Sequence, residues 1–376
     1  MKKLSILLFS VLVFLSCTEK PNSNSVSNNS VISNPEYGDL QSQESPPISF
    51  ELVQTFGVNQ DDENTLLVYI KSIFVDGNQN VYVLDPYSPK LISYSKTGAV
   101  RWIVDSPGKG PGDIYQPKGM VWNNNDLIYL SNINGHRVDV FNLDGEFVES
   151  LSLPESKRSL EPIGYTDDKL VLATEVGGAF AKKFLVFDIN NLSSPKTTFT
   201  IDETGDVEVP TSTSWFSQAT LINGNIVYGG MSEYKYSFVN LDSTKEKTVH
   251  REFEKLVRPG FFEDDEGSVI GSLGGMRPPL ELPSGHFLTS ANWPVDVEDP
   301  DAFIQYMFMG MTTEYKLENT IDLFDKNWNL LYSIESEETE HPEYGTPQYV
   351  DSEGYLYSIF TIPSAHIKKF SITINE

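Results

Sequence analysis

The sequence is short of several residue types, and each shortage excludes a class of protein. Of 376 residues, one is cysteine and five are histidine, so an internal disulfide and a zinc site of clustered Cys and His are both excluded. Basic residues are scarce, because 27 Lys and Arg stand against 53 Asp and Glu, for a net charge of -26. Nucleic acids and anionic lipid surfaces are held by clustered Lys and Arg. The sequence therefore predicts no nucleic acid partner and no basic membrane patch.

A long apolar run is also missing. The longest one, residues 4–15, is interrupted only by serines, and it is too short to span a bilayer. It follows Lys2 and Lys3 and precedes the small residue Ser16, which is the arrangement of a secretory signal peptide. We expect residues 1–16 to be a signal peptide.

The single cysteine lies directly after this segment. The tetrad Phe14-Leu15-Ser16-Cys17 resembles the lipobox of bacterial lipoproteins, in which the chain is cut before the cysteine and the thiol carries a diacylglyceryl group. Phe14 departs from the usual Leu, and the alternative is an ordinary signal peptide with an incidental cysteine. The resemblance implies lipid attachment at Cys17 and a membrane-anchored protein of the cell envelope. Thr18 is not the Asp that retains some lipoproteins at the inner membrane, which favours the outer membrane.

The next residues, 17–47, have a polar composition. They are rich in Ser, Asn, Gln, Glu and Pro, with few apolar residues and no period. Such a segment buries too little apolar surface to offset the entropy of ordering it. We therefore expect residues 17–47 to be a flexible tether and residues 48–376 to be the folded domain.

Short β-rich runs separated by Gly, Asn, Asp and Pro begin at residue 48. They predict an all-β sandwich, barrel or propeller, and internal repetition decides among these. Residues 69–104 and 117–151 each hold four such runs with a Gly turn before the last one. Less regular copies follow at residues 160–201, 212–250, 277–335 and 346–374. The chain is therefore built from units of about 45 to 50 residues.

Two segments of these units resemble a known repeat. Residues 105–113 read Asp-Ser-Pro-Gly-Lys-Gly-Pro-Gly-Asp, and residues 134–145 read Asn-Gly-His-Arg-Val-Asp-Val-Phe-Asn-Leu-Asp-Gly. Both are similar to the NHL repeat, and the first is also similar to a segment of six-bladed β-propeller lipoproteins of Gram-negative bacteria. His136 and Arg137 stand where NHL repeats normally carry Asn-Arg, and we assign His136 to packing between blades. The resemblance implies a propeller.

The last unit stops one strand short, whereas residues 48–56 form an alternating strand with no partner of its own. If residues 48–56 supply the missing strand, the ring closes and no edge is exposed. Five complete units and one shared unit predict an all-β, six-bladed β-propeller of four-stranded antiparallel blades, closed by the N-terminal strand. The third and fifth units are irregular, so seven blades remain open. We expect a monomer.

The strand order sorts the loops by face. Connections between blades, and those between second and third strands, open on one side of the ring, which we call the first face; the remaining turns open on the second face. The long segments all fall on the first face, namely residues 105–116, 252–276 and 293–319. Long loops on a rigid scaffold usually carry function. We expect the binding surface on the first face, around the central channel.

Seven residues in or near the first-face loops are candidate ligand-binding residues, since charged and aromatic side chains suit a flat or anionic group. They are Lys109, Asp113, Tyr115, Trp215, Arg258, Arg277 and Trp293.

Three other segments are interpreted as structural. The glycines of residues 108–112 lack the context of a P-loop, so we interpret them as a structural turn. Residues 303–311, rich in Met and aromatics, are interpreted as a hairpin packed on the body. Residues 264–267 lack the acid spacing of a calcium loop and are interpreted as a solvated turn.

The sequence has no Ser/His/Asp order and no metal-ligand spacing that would support catalysis. We predict a non-enzymatic binding or scaffolding lipoprotein for a protein, peptide or glycan, with no metal and no cofactor. The alternative is an NHL-like or lactonase-like lyase or hydrolase with a metal on the propeller axis. Propellers host both kinds of protein, so the fold does not decide between them.

Overall fold

The structure, a computed structural model, describes residues 30–58, 63–132, 137–153, 160–175, 181–192, 194–202, 219–230, 233–264, 267–271, 273–295, 297–309, 311, 316–336 and 343–375. The described strands form six sheets around a central axis, together with a separate two-stranded hairpin. The expected signal peptide and Cys17 lie outside the described residues.

The first half of the chain supplies two leading strands and three blades. The leading strands are β1 (Ser30–Asn34) and β2 (Ile48–Phe56). Blade 1 consists of β3 (Ser72–Val75), β4 (Val81–Asp85), β5 (Lys90–Tyr94) and β6 (Val100–Val104). Blade 2 consists of β7 (Pro117–Trp122), β8 (Leu127–Asn132), β9 (Arg137–Asn142) and β10 (Phe147–Ser152). Blade 3 consists of β11 (Glu161–Thr166), β12 (Lys169–Glu175), β13 (Ala181–Asp188) and β14 (Thr197–Asp202).

The second half supplies the remaining blades, a hairpin and a helix. Blade 4 consists of β15 (Ala219–Ile222), β16 (Asn225–Gly229), β17 (Lys235–Asn240) and β18 (Lys245–Arg251). The hairpin is formed by β19 (Gly260–Asp264) and β20 (Gly267–Gly271). Blade 5 consists of β21 (Gly275–Met276), β22 (Leu280–Glu281), β23 (Phe287–Pro294), β24 (Leu317–Phe324) and β25 (Leu330–Ser336), with helix α1 (Pro300–Phe308) between β23 and β24. Blade 6 contains β26 (Thr346–Val350), β27 (Leu356–Phe360) and β28 (His366–Ile374).

The two ends of the chain close the ring. Strand β2 pairs antiparallel with β28, with Ile48 opposite Ile374 and Phe56 opposite Ile367. The last sheet therefore has the order β2-β28-β27-β26. The predicted closure and the count of six blades are confirmed. Each innermost strand is paired on its outer side only, and because the ring is complete the edges that remain are short and face the axis.

Residues 30–47 were expected to belong to the flexible tether, and the structure corrects this expectation. Strand β1 pairs in parallel with β18 and adds a fifth strand to blade 4. The buried amide of Asn34 donates to the carbonyl of Trp328 at 3.0 Å and accepts from the backbone N–H of Leu330 at 2.7 Å. Composition predicted disorder because little apolar surface is available, but backbone pairing and buried amide hydrogen bonds hold this segment in place.

The hydrophobic core lies in layers between neighbouring blades. In the layer between blades 4 and 5, the buried ring of Trp328 stacks on Phe287 at 4.1 Å between centroids and meets the edge of Phe238 at 5.0 Å. In blade 1, every residue of β4 and β5 is buried. Strands buried on both sides read as short continuous apolar runs, which is why the repeat was visible in the sequence.

A recurring aspartate fixes the turns on the second face. In blade 1, Asp76 accepts from the backbone N–H groups of the turn at 2.8 and 2.9 Å and from the hydroxyl of Tyr82 at 2.9 Å. Asp351 does the same in blade 6, with Tyr357 at 3.0 Å. An aspartate that satisfies the turn N–H groups and a tyrosine six residues later holds the first two strands of a blade in register.

The insertion between β23 and β24 contains helix α1, where a hairpin was expected. Asp299 caps the helix by accepting from two backbone N–H groups of the first turn at 3.0 and 3.2 Å, and Pro300 occupies the first turn. This Asp-Pro start outweighs the loose apolar alternation that follows it. Buried Ile304 packs against Gly260 and Gly271 of the hairpin β19–β20. Among the described residues, no helix has the length and apolar character needed to cross a membrane.

Candidate functional site

The innermost strands of all six blades line a central channel of about 290 Å³. More than half of its accessible wall is polar, and the apolar part includes Ile73, Met120, Ile163 and Leu221. This volume is near the lower limit for pockets that bind small molecules, which is about 300 Å³. It can hold a single sugar or the end of a peptide, while a larger ligand would extend over the first face.

Lys71 and Glu161 line the channel at its first-face mouth. Lys182 pairs with Glu161, and Arg277 lines a neighbouring cavity within electrostatic range of Lys71. We call Lys71, Glu161, Lys182 and Arg277 the mouth cluster. Lys71 directly precedes β3, Glu161 begins β11, Lys182 lies at the start of β13, and Arg277 lies between β21 and β22. Three cations and one carboxylate leave a net charge of +2, in a chain whose net charge is -26.

Ion pairs link the lysines of the mouth cluster to its carboxylate. Lys71 Nζ lies 2.8 Å from Glu161 Oε1, and Lys182 Nζ lies 3.5 Å from Glu161 Oε2. Burial acts to raise the pKa of Glu161, but Lys182 and Lys71 outweigh it and hold that pKa below its ordinary value. Burial acts to lower the pKa of Lys71, and Glu161 raises it by more. Glu161 and Lys71 are therefore both charged at neutral pH.

Arg277 lies at a break in the innermost strand of blade 5. Pro278 and Pro279 follow it, and proline cannot donate to a sheet ladder, so β21 and β22 are separate. The Arg277 N–H donates to the Ser290 carbonyl at 2.8 Å, and its own carbonyl accepts from the Tyr236 hydroxyl at 2.6 Å. Burial lowers the pKa of the Arg277 guanidinium below its ordinary value, but an arginine remains a cation.

Three of the sequence-predicted residues belong to one self-contained loop. The carboxylate of Asp113 accepts from the backbone N–H of Gly110 at 2.8 Å. Lys109 Nζ lies 4.9 Å from the ring centroid of Tyr115, and the Lys109 carbonyl accepts from Arg137 at 3.0 Å. These contacts hold the interblade loop on blade 2, in keeping with its interpretation as a structural turn.

Two further predicted residues are engaged within the protein. Arg258 forms a bidentate pair with Asp301 of α1, with distances of 2.7 and 2.8 Å. Trp293 is 3% exposed. Its indole N–H donates to Glu318 at 2.9 Å and its ring meets Phe253 at 5.0 Å between centroids. Trp293 therefore lies in the interior rather than on the first face.

Of the predicted residues, Arg277 lies beside the channel mouth, where it lines a neighbouring cavity within electrostatic range of Lys71. Outside the described residues lie Cys17, His136 and Trp215. Sequence reasoning missed Lys71, Glu161 and Lys182 because it searched the long loops. The available signal was a charged residue at or next to the start of a β-rich run, since the first and third strands of each blade begin at the first face.

The acidic segment 264–267 ends the hairpin, where Asp264 and Gly267 are opposite each other in register; residues 265–266 lie outside the described part. Within the described residues, no group of three or more His, Cys, Asp or Glu side chains is arranged to hold a metal ion.

The six blades and the axial cavity define a closed β-propeller with a ligand-sized channel that opens among charged side chains. The chain belongs to the DUF5128 family, described as a 6-bladed beta-propeller, whose model matches residues 20–228. No curated protein matches the sequence.

Solved structures share the fold at low sequence identity. A member of the DUF4221 family from Bacteroides vulgatus has 10% identity and a TM-score of 0.56, covering 86% of this chain and 98% of its own. A Bacteroides fragilis protein described as exported has 13% identity and a TM-score of 0.53, covering 92% and 100%. Virginiamycin B lyase from Staphylococcus aureus has 11% identity and a TM-score of 0.43, covering 86% and 99%. At these identities the likeness concerns the fold alone.

Proposed function

We propose that this protein is a lipid-anchored binding protein of the cell envelope that presents the first face of its propeller to a protein, peptide or glycan. The observation that carries the proposal is the mouth cluster. In a strongly acidic chain, three cations and one carboxylate lie at or next to the rim of a preformed channel. Charged groups with perturbed pKa values gathered at a cavity mark a candidate binding site.

The chemistry of the mouth cluster favours binding over catalysis. A general base must take a proton near neutral pH. Glu161, whose pKa two lysines hold below its ordinary value, is a poor base there. Lys71 is protonated and paired, so it is a poor nucleophile. Paired charges on a rigid rim are suited to orienting a polar ligand.

The surroundings of the channel suit a ligand larger than the channel itself. Helix α1 and the hairpin β19–β20 both rise from first-face connections. On and just after α1, Tyr306, Phe308 and Met309 are about half exposed. Exposed aromatic and methionine side chains beside a polar pocket are typical of surfaces that contact peptides or sugars.

The proposed location in the cell envelope is argued mainly from the N-terminal residues. The tetrad that ends at Cys17 supports lipid attachment, and Thr18 supports the outer membrane. The described part of the chain has no helix able to cross a membrane, and the Bacteroides fragilis relative is described as exported. These observations support a protein outside the cytoplasm that is held by a lipid on Cys17.

The anchor is tested by the variant Cys17→Ala. We expect the variant to move from the membrane fraction to the soluble fraction of the cell envelope, while Ser23→Ala, six residues away, remains with the membrane. A Cys17→Ala protein that stays in the membrane fraction would show that the lipid anchor is wrong.

Binding is tested by screening the full-length protein against arrays of short peptides and of glycans, followed by titration of each hit. Loss of a charge-assisted contact costs about 1.5 to 3 kcal/mol, so Lys71→Gln should weaken a true ligand about tenfold or more. The matched control is Lys96→Gln, an exposed lysine in a second-face turn. A ligand that loses affinity in the control and not in Lys71→Gln would contradict the proposed face.

A further inference from the structure

A second, smaller cavity lies between blades 5 and 6, with a volume of about 70 Å³. Its polar wall is formed by Arg277, by Ser290 and Asn292 of β23, by Asn319 of β24, and by Thr346 at the start of β26. These positions come from two blades, so the cavity exists only in the assembled ring. Arg277 is the one charged residue of this wall.

Arg277 differs from the other described arginines. Arg101, Arg137, Arg251 and Arg258 each pair with an aspartate at 3.4 Å or less. Across the described ranges, no carboxylate forms an ion pair with Arg277. Arg277 is partly buried, and a partly desolvated guanidinium with no counter-ion carries a cost that a bound anion would offset.

Two more groups of the cavity wall are buried without a partner. Ser290 is 7% exposed, and its hydroxyl has no hydrogen bond with any described residue. The side-chain N–H₂ of Asn319 is buried and likewise lacks a partner in the described part of the chain. A buried donor left unsatisfied costs about 1 to 3 kcal/mol. The cavity wall therefore offers three kinds of hydrogen-bond donor, namely the guanidinium of Arg277, the amide N–H₂ of Asn319 and the hydroxyl of Ser290. A ligand group that accepts hydrogen bonds would satisfy them.

We propose that this cavity binds a carboxylate group, the acidic end of the ligand held at the first face. A carboxylate accepts the two parallel N–H bonds of an arginine fork and has lone pairs left for an amide and a hydroxyl. At about 70 Å³ the cavity admits such a terminal group and excludes a whole sugar ring. The inference rests on the proposed function, because it names the ligand chemistry of that same face.

The position of Arg277 relative to the channel supports this assignment. The charge of Arg277 acts on Lys71, whose pKa it lowers, so the two cations lie within electrostatic range. A ligand with its carboxylate at Arg277 would continue towards Lys71 and the channel. The carboxylate could belong to the C-terminus of a peptide or to a sugar acid, and both present the same two oxygens.

The first probe is acetate, titrated against the full-length protein. Chloride replaces acetate as needed to keep the ionic strength constant, and binding is measured by calorimetry or NMR. We expect saturable binding in the millimolar range, weakened at least tenfold in Arg277→Gln and in the isosteric Asn319→Asp, which replaces a donor by a negative charge. Arg101→Gln removes the same charge from an outer strand and should bind acetate as the unaltered protein does. Circular dichroism confirms that each variant is folded.

Three results would overturn the assignment. The first is no saturable acetate binding by the unaltered protein, and the second is an unaltered acetate affinity in both Arg277→Gln and Asn319→Asp. The third is tighter binding of inorganic phosphate than of acetate, since an arginine fork also binds phosphate and such a preference would mark a phosphate site. The source of the carboxylate is then separated by comparing peptides with free and amidated C-termini, and glucuronate with its methyl ester.

Failure of this inference differs from failure of the proposed function. If a peptide or glycan binds the first face and its affinity does not change in Arg277→Gln or on amidation or esterification, the proposed function stands and the carboxylate site is wrong. If acetate binds at Arg277 and no peptide or glycan binds, the carboxylate site stands and the proposed function is wrong.

Discussion

Lys71 Nζ lies 2.8 Å from Glu161 Oε1, and this contact joins the innermost strand of blade 1 to that of blade 3 across the channel mouth. Lys182 approaches the other carboxylate oxygen at 3.5 Å. Neither lysine is adjacent to Glu161 in the sequence. Strand pairing within blade 3 brings Lys182 to Glu161, and the ring brings Lys71 from blade 1. The pair therefore contributes both to the shape of the mouth and to the stability of the closed propeller.

The variant Glu161→Gln should unfold more easily than the unaltered protein at pH 7, by about 1 to 2 kcal/mol, because two lysines lose their counter-charge. The pKa of Glu161 is lower in the folded protein than in the unfolded chain, where it is about 4.3. Its contribution to the free energy of unfolding is therefore fully present above the unfolded-state pKa and is lost as the pH falls through the folded-state pKa. Urea unfolding at neutral pH and at decreasing acidic pH measures the difference. The control is Glu149→Gln, an exposed residue of an outer strand. A difference that did not shrink in acid would contradict the assigned ion pair.

Closure of the ring by β2 should depend on its buried end. Phe56 is 1% exposed and its ring faces Tyr94 and Tyr357 at 6.1 and 6.3 Å between centroids. We expect Phe56→Ala to lower the free energy of unfolding by about 3 to 5 kcal/mol, through lost burial and the cavity left behind. Leu52 of the same strand is 52% exposed, so Leu52→Ala should cost little. Guanidinium unfolding of both variants checks this, and equal losses would argue against β2 as a packed closing strand.

The packing of residues 30–47 should depend on Gly38. A Cβ added there would lie within 2.7 Å of the backbone nitrogen of Tyr332, closer than real contacts allow, and would also meet the carbonyl of Leu331. We expect Gly38→Ala to displace this segment and to speed its cleavage by proteases, while the propeller stays folded. Limited proteolysis with mass spectrometry locates the cuts. Gly77→Ala is the control, because a Cβ at Gly77 meets nothing within 4 Å, and equal cleavage in both variants would contradict the prediction.

The fold could be predicted further than the site. Residues 69–104 and 117–151 form similar units because every blade needs apolar inner strands that are buried on both sides and turns built from Gly, Asn or Asp. The incomplete last unit and the unpaired strand at residues 48–56 then predicted closure. Helix α1 was missed, since the capping signal of Asp299 and Pro300 is short and the apolar residues after it suggested a strand.

The candidate site could not be predicted in the same way. Arg277 was identified by its residue type and its place near a loop, but nothing local distinguishes it from Arg258, which pairs with Asp301 at 2.7 Å. Lys71 at blade 1 and Glu161 in blade 3 are separated by the whole of blade 2. Which charges are paired depends on the distances between blades, and those distances do not appear in any local pattern.

Local information was enough to establish an all-β repeat, to favour a ring of six blades closed by the N-terminal strand over one of seven, and to identify the face on which the long connections lie. Each of these follows from periodicity and strand order, which are properties of neighbouring residues. The assembled ring decided that residues 30–47 pack on blades 4 and 5, that Trp293 is interior, and that Arg277 is the described arginine without an aspartate partner. Burial and charge pairing are set between segments far apart in the chain, and so they required the tertiary structure.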